Sequence, residues 1–265
     1  MKLLMVILTA MLCVAQGPVV SIQVHGNDGK RILTKASPDG FNFQDAPPRL
    51  LIQTAYSVRD FQIFGGPEWI DSDRYDIQVK TPGQRNFQMM RSLVRELLKD
   101  RFKLQLHREK RELPVYTLTV VKGGLRMWKT SEGSCVPFDP GIRHPPTPGE
   151  KPPDYCGFIK RGIDAWLNKT LDGVGVAVNG TDEIPGIVMI LSDNLRQIVI
   201  DKTGLAGKYD FHLEWDPSAT AASDGDGPTL VRAAEEQLGL KLDPGKAPVE
   251  VLVIDHIEKP ATTAN

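Results

Sequence analysis

The fold is indicated by two similar stretches, DRYDIQVKTP (residues 73–82) and GKYDFHLEWDP (residues 207–217). Each contains a Tyr-Asp pair, at Tyr75 or at Tyr209, and continues with alternating apolar and polar residues. Because successive side chains of a strand point to opposite faces, each stretch predicts a strand with one face for burial and one for water.

The sequences that follow the two stretches also resemble each other. Apolar residues recur at helical spacing over residues 87–98, which predicts a helix of about four turns. A second helix is predicted between Pro228 and Gly239, residue types that are typical of a helix start and a helix end. Each helix leads into a strand, a short turn and another strand, over residues 102–120 and 240–254, so that each pair is expected to form a hairpin.

Matching residues keep a nearly constant spacing of 134 to 136 positions, as Tyr75 does with Tyr209 and Pro114 with Pro248. This indicates an internal duplication of an α+β unit with the order helix, strand, helix, strand, strand. Each half-apolar sheet and amphipathic helix needs a cover, which predicts antiparallel sheets and two lobes in one compact domain. The expected lobes span 19–124 and 187–260, joined by a Pro-rich connection over 125–186.

The N-terminus has the pattern of a secretory signal peptide, with one lysine, a short apolar run and small residues before the end of the segment Met1 to Ala15. An uncleaved anchor or a buried strand is the alternative. No later stretch has the roughly 18 apolar residues of a membrane helix, so the mature chain is expected to be secreted or periplasmic, without a stable membrane span.

Composition and cysteine usage agree with export. The 265 residues include 32 basic and 33 acidic ones, a balance that argues against a nucleic-acid partner. Removal of the signal peptide leaves Cys135 and Cys156, which in an oxidising compartment are expected to form a disulfide around the Pro-rich stretch 137–153. A metal site or a nucleophilic thiol is the alternative, but no His/Cys spacing supports it.

Four longer motifs carry a resemblance to a known family. These are GGPEWIDSDRYDI (65–77), DRFKLQLHREKRELPVYTLTVVKGG (100–124), DKTGLAGKYDFHLEW (201–215) and PVEVLVIDHIEKP (248–260). Together they resemble a paralogous family of secreted soil-bacterial proteins of unknown function, the soil-associated family, whose module also occurs behind membrane metallopeptidases of the antibiotic-sensor type. The resemblance implies export and a duplicated α+β domain, and it supplies no catalytic residue.

The chain departs from that family pattern in two ways. Its helix before the Asp-Lys-Thr-Gly at Asp201 is shorter than usual, and both the region before Phe41 and residues 160–186 match poorly. No His-Glu-x-x-His motif is present, so the peptidase activity of the fused relatives does not transfer.

Residue types that carry chemistry form no complete motif. An Asp255-His256 dyad is possible, although a hydrogen-bonded strand end is the alternative. Carboxylates cluster at 71–73 and 223–227, but neither cluster completes a calcium loop. The five histidines show no metal-ligand spacing: His25, His107, His144, His212 and His256. We therefore predict no catalytic residue, no metal site and no cofactor, and the binding residues stay unknown.

Aromatic residues cluster in AYSVRDFQIFGGPEWI (55–70), which contains Tyr56, Phe61, Phe64 and Trp69. Packing in a core or turn is one interpretation. The other is an exposed groove near Trp69 for a peptide or a glycan, because such rings bury area and keep a polar tip.

The sequence favours a non-enzymatic exported module that binds or assembles with an envelope or extracellular protein, peptide or glycan. Open sheet edges that accept a strand from a partner would provide the binding mode. The alternatives are a periplasmic hydrolase with a carboxylate site between the lobes and a ligand-sensing domain.

Overall fold

A computed structural model describes the chain over residues 19–25, 33–37, 40–80, 87–137, 155–157, 159–163, 169–178, 186–219 and 228–261. Several predictions fall outside these residues: the signal peptide Met1 to Ala15, most of the Pro-rich stretch, His144 and the acidic cluster 223–227.

The chain has the predicted α+β composition. Its strands are β1 (Val19–His25), β2 (Leu33–Ser37), β3 (Gly40–Ala46), β4 (Ile63–Gly65), β5 (Arg74–Lys80), β6 (Gln105–Val120), β7 (Trp128–Lys129), β8 (Ile159–Ile163), β9 (Lys169–Ala177), β10 (Ile198–Asp201), β11 (Lys208–Trp215) and β12 (Leu240–His256). Its helices are α1 (Pro48–Tyr56), α2 (Trp69–Ser72), α3 (Phe87–Arg101), α4 (Ile187–Leu195) and α5 (Leu230–Ala233), which continues as a π-helical turn (Ala234–Leu238).

Contacts divide the described residues into two compact units. Unit 1 takes the chain up to Ala55, Pro67–Lys103 and the residues from Glu258 onward, whereas unit 2 takes Tyr56–Gly66 and Leu104–Ile257. The units are defined by contact and the predicted lobes by sequence repetition, so the lobe boundaries stay a prediction.

Unit 1 is built around β5. Its sheet has the order β1-β5-β3-β2, and all its pairs are antiparallel. Tyr75, Ile77 and Val79 of β5 are buried, as the alternation predicts. The Tyr75 ring meets that of Phe102 edge to face at 5.5 Å between centroids. This aromatic contact joins the inner strand to the residue that directly follows α3.

Unit 2 contains two sheets. The first has the order β10-β6-β12-β4, in which β6 and β12 are antiparallel and each outer strand is parallel to its neighbour. The second has the order β7-β11-β9-β8 and is antiparallel. The side chains of Tyr209, Phe211, Leu213 and Trp215 on β11 are buried in one core cluster with Leu118 of β6. The core therefore joins both sheets of this unit.

The two predicted hairpins are wrong. Residues 105–120 form one strand of 16 residues and residues 240–256 one strand of 17, and these two strands pair with each other along their length. The charged run from His107 to Glu112, where the predicted hairpin would have its turn, lies within β6. Pairing between distant strands supplies hydrogen bonds that a turn at this run would interrupt.

Strands at matching positions of the predicted repeat occupy matching positions in the sheets. β5 and β11, which carry Tyr75 and Tyr209, are both inner strands. β6 pairs with β12, and β4 and β10 form the two edges of the same sheet. The duplication itself stays a prediction.

Candidate functional site

A cavity of about 670 Å³ lies in unit 2, at the end of the π-helical turn. The turn continues α5, whose start is capped by Thr229, the side chain of which accepts a hydrogen bond from the backbone of Arg232. Six charged side chains line the cavity: Lys122, Arg126, Arg232, Glu235, Glu236 and Lys241.

The wall of this cavity depends on a glycine. The turn ends at Gly239, whose φ of 71° lies in the left-handed region. The carbonyl of Gly239 accepts a hydrogen bond from Val121 at 3.0 Å, and the carbonyl of Leu238 accepts one from the backbone of Arg126 at 2.9 Å. These two bonds hold the segment 121–126 against the helix end.

The charges in the cavity are partly paired. Arg232 Nε lies 2.8 Å from Glu236 Oε1, and this hydrogen bond raises the pKa of the guanidinium. Lys241 Nζ lies 2.6 Å from Asp243 Oδ1, and that hydrogen bond raises the pKa of the ammonium. Both groups therefore stay positive at neutral pH.

Two further cations complete the lining. The guanidinium of Arg126 donates a hydrogen bond to the backbone carbonyl of Glu236, a favourable position for a cation at a helix end. Lys122 is exposed, and among the described residues no ion pair is found for it. Four basic groups against Glu235 and Glu236 leave the lining net positive. Such a cavity suits a ligand with an anionic group.

An exposed tryptophan follows the lining residue Arg126 two positions later in the chain. The side chain of Trp128 is 68% exposed, whereas the preceding Met127 is buried in the core and Arg126 is exposed. Arg126 and Trp128 are thus both exposed, on either side of a buried residue at a bend in the chain. Two residues of chain span at most about 7 Å between Cα atoms, so the backbone of Trp128 lies within that distance of Arg126, although Trp128 does not itself line the cavity.

Trp128 is held in place by its strand. β7 pairs with β11, where Trp128 lies opposite Asp210. The hydroxyl of Thr130 donates to Oδ1 of Asp210 at 2.7 Å, and its backbone amide donates to the carbonyl of Lys208 at 3.0 Å. The ring therefore projects from a strand that is fixed on both sides of it.

The histidines predicted as chemistry candidates lie elsewhere. Asp255, from the possible Asp255-His256 dyad, has its Oδ1 2.9 Å from Nδ1 of His107 on the adjacent strand. Nε2 of His107 lies 3.7 Å from Glu109, and the side chain of His107 is half exposed. The hydrogen bond with Asp255, followed by the nearby Glu109, raises the pKa of His107 and favours the protonated imidazole.

The remaining predicted residues have structural contacts. The disulfide between Cys135 and Cys156 is present, and Asp71 pairs with Arg49. Asp73 Oδ2 lies 2.7 Å from Lys259 Nζ, which also lies 5.6 Å from the centre of the Trp69 ring. His212 is exposed, as the alternation of β11 predicts.

Phe64, from the predicted aromatic groove, is half-buried under the guanidinium of Arg111, 4.4 Å from the ring centre. The packing interpretation therefore fits Phe64. Trp128 lies outside that aromatic segment, and its exposure is seen only in the structure.

Neither a metal cluster nor a membrane helix is found in the described part of the chain. No group of three or more His, Cys, Asp or Glu side chains there is placed to hold a metal ion. None of the helices that the structure describes is long and apolar enough to cross a membrane.

Comparison with known proteins identifies the family. A family described as a protein of unknown function, DUF3738, matches residues 49–257. The chain belongs to the DUF3738 family. The resemblance to an uncharacterised family is thereby confirmed at this level. No curated protein and no solved structure matches the chain.

Proposed function

We propose that this DUF3738 protein is an exported, non-enzymatic binding module and that its ligand is an acidic saccharide. The observation that carries the proposal is the net positive cavity, with the exposed Trp128 two residues beyond its lining residue Arg126. Export follows the signal-peptide pattern of Met1 to Ala15, and the soil-bacterial source follows the motif resemblance.

The chemistry of such a ligand fits both parts of the site. The apolar face of a sugar ring stacks on an indole ring, which buries area at low cost in conformational entropy. A carboxylate or sulfate group on the same saccharide interacts with Lys122 and Arg126 in the cavity. A neutral saccharide would use only Trp128, so the site discriminates in favour of acidic chains.

Calorimetric titration with polygalacturonate at low salt tests the proposal, with dextran as the neutral comparison. We expect binding to the acidic polymer that weakens with added salt, because part of it is ionic. Trp128→Ala and Lys122→Glu should each weaken it about tenfold, the effect of roughly 1.4 kcal/mol. Lys246→Glu makes the same charge change on an exposed position outside the cavity and should have no comparable effect.

The hydrolase alternative is distinguished in the same samples. Binding without new reducing ends supports the binding module, and release of reducing ends supports a hydrolase. Two results would contradict the proposed site. One is the absence of any heat of binding to polygalacturonate at low salt. The other is a loss of affinity in Lys246→Glu equal to that in Lys122→Glu.

A further inference from the structure

The long strand β6 has an edge that no described strand covers. β10 pairs with β6 from Val115 to Leu118, and no pairing on that side is found for the described residues before Val115. The open edge therefore runs from Gln105 to Pro114.

β6 and β12 form a two-stranded antiparallel ribbon. Three prolines establish which backbone groups point out of this ribbon. Pro114 lies opposite Lys246, Pro244 opposite Tyr116 and Pro248 opposite Glu112, all at even-numbered positions. Proline has no N–H for the ladder, and in an antiparallel pair the bonded and non-bonded positions alternate. Residues with even numbers therefore direct their N–H and C=O groups away from the partner strand.

Two observed hydrogen bonds agree with this assignment. The carbonyl of Leu118 accepts from the backbone amide of Lys202 at 2.9 Å, outside the β6–β12 pair. The carbonyl of Glu250 accepts from the side chain of Gln62 at 3.1 Å, also outside that pair. Both acceptors are at even positions.

The two outer edges of the ribbon differ in their capacity for an added strand. On β12, Pro244 and Pro248 remove outward donors, and Gln62 already occupies an outward carbonyl. On β6, Arg108, Lys110 and Glu112 each direct a backbone N–H and a C=O outward. The next even-numbered residue, Pro114, has no N–H, so the series of outward donors ends there. The β6 edge is thus the one with consecutive free backbone positions among the described residues.

The side chains along this edge select one partner. Residues 108–112 read Arg-Glu-Lys-Arg-Glu. An antiparallel copy centred on Lys110 places Arg108 opposite Glu112 and Glu109 opposite Arg111, with opposite charges at both of these pairs. Lys110 meets its own copy, and Glu250, which lies across from it on β12, pairs with Arg108 of the same chain. Charges of this kind exclude apolar strands from an edge, yet they match an antiparallel copy of themselves.

We infer that this protein forms a two-fold dimer through antiparallel pairing of the β6 edges of two copies. The pairing is isologous, and it joins two four-stranded sheets into one continuous sheet. Arg108, Lys110 and Glu112 of each copy donate and accept the hydrogen bonds, because these are the residues whose backbone groups point outward.

Sedimentation at a series of concentrations tests the dimer, with amide hydrogen exchange as the second measurement. We expect a transition from one chain to two, with slower exchange at Arg108, Lys110 and Glu112 as the concentration rises. Lys110→Pro removes an outward donor, as Pro114 does in the native strand, and should give a monomer. Glu112→Arg places two arginines opposite each other and should weaken the dimer about tenfold or more.

Two matched variants control the charge change. Glu132→Arg makes the same reversal on an exposed residue outside the strand and should leave the dimer intact. Arg108→Glu combined with Glu112→Arg restores opposite charges at each pair and should restore dimerisation. If Lys110→Pro does not fold, Glu112→Arg and its double variant with Arg108→Glu test the dimer on their own. A monomer at every concentration, or a dimer that Glu112→Arg does not weaken, overturns the inference.

Discussion

Nδ1 of His107 lies 2.9 Å from Oδ1 of Asp255, although 148 residues separate the two in the sequence. The register of the central ribbon produces this contact, because it places His107 opposite Val253, two residues from Asp255. The hydrogen bond with Asp255 raises the pKa of His107, and Glu109 contributes further. The pair therefore favours the protonated imidazole in the folded state.

This contact predicts a pH-dependent contribution to stability. A group whose pKa is raised by folding contributes stability that is complete below its ordinary value of 6.5 and is lost as the pH rises through the raised value. We expect His107→Gln to lower the urea midpoint at pH 5 and to lower it less at pH 8.5. Asp255→Asn removes the same partner, and the double variant should add no further loss at pH 5. An equal effect of His107→Gln at both pH values would contradict this.

The disulfide predicts a second effect on stability. Cys135 and Cys156 are 21 positions apart, and a loop of that length loses unfolded-state entropy worth about 3 kcal/mol when it is closed. We expect the double change Cys135→Ser and Cys156→Ser to lower the free energy of unfolding by up to that amount. Reductant should lower the midpoint of the native chain and leave that of the variant unchanged. If reduction of the disulfide leaves the unfolding midpoint of the native chain unchanged, this prediction is wrong.

Local patterns were sufficient for the separate elements of this fold, but not for their pairing. The alternation from Tyr75 predicts β5, and the helical spacing over residues 87–98 predicts α3. The hairpins failed because the choice of partner strand is non-local, and the charges of 107–112 look the same in a turn and in an exposed strand. The site was missed for the same reason, since its cavity brings Lys122 and Arg126 together with residues 232–241, which are distant in the sequence.

Tyr75 predicts an unusual ionisation. Burial, followed by the nearby Asp73 carboxylate, raises its pKa from 10.0 to about 12. In an absorbance titration at 295 nm, one tyrosine should ionise only near pH 12, and Tyr75→Phe should remove that step. Because the pKa is raised by folding, the neutral phenol contributes stability below pH 10 that is lost as the pH rises toward 12. If Tyr75→Phe instead removes an ionisation step near pH 10, Tyr75 is not the tyrosine with the raised pKa.

Gly239 couples the stability of the chain to the proposed ligand cavity. Its φ is +71°, and an added Cβ would lie 2.4 Å from the carbonyl oxygen of Gly124 and 2.9 Å from the backbone nitrogen of Arg126. Gly239→Ala must therefore both strain its own backbone and displace the cavity wall. We expect a loss of about 2 to 4 kcal/mol in the free energy of unfolding, from the left-handed conformation and the clash together.

Gly204→Ala separates these two causes. Gly204 also has a left-handed φ, +67°, but an added Cβ would have no atom within 4 Å. Its substitution should cost only the backbone term, about 1 to 2 kcal/mol, and should leave binding of an acidic saccharide unchanged. Urea denaturation and the same calorimetric titration measure both effects. Equal losses at the two glycines would mean that the contact of Gly239 with the 124–126 segment contributes nothing, and the wall of the cavity would then rest on other interactions.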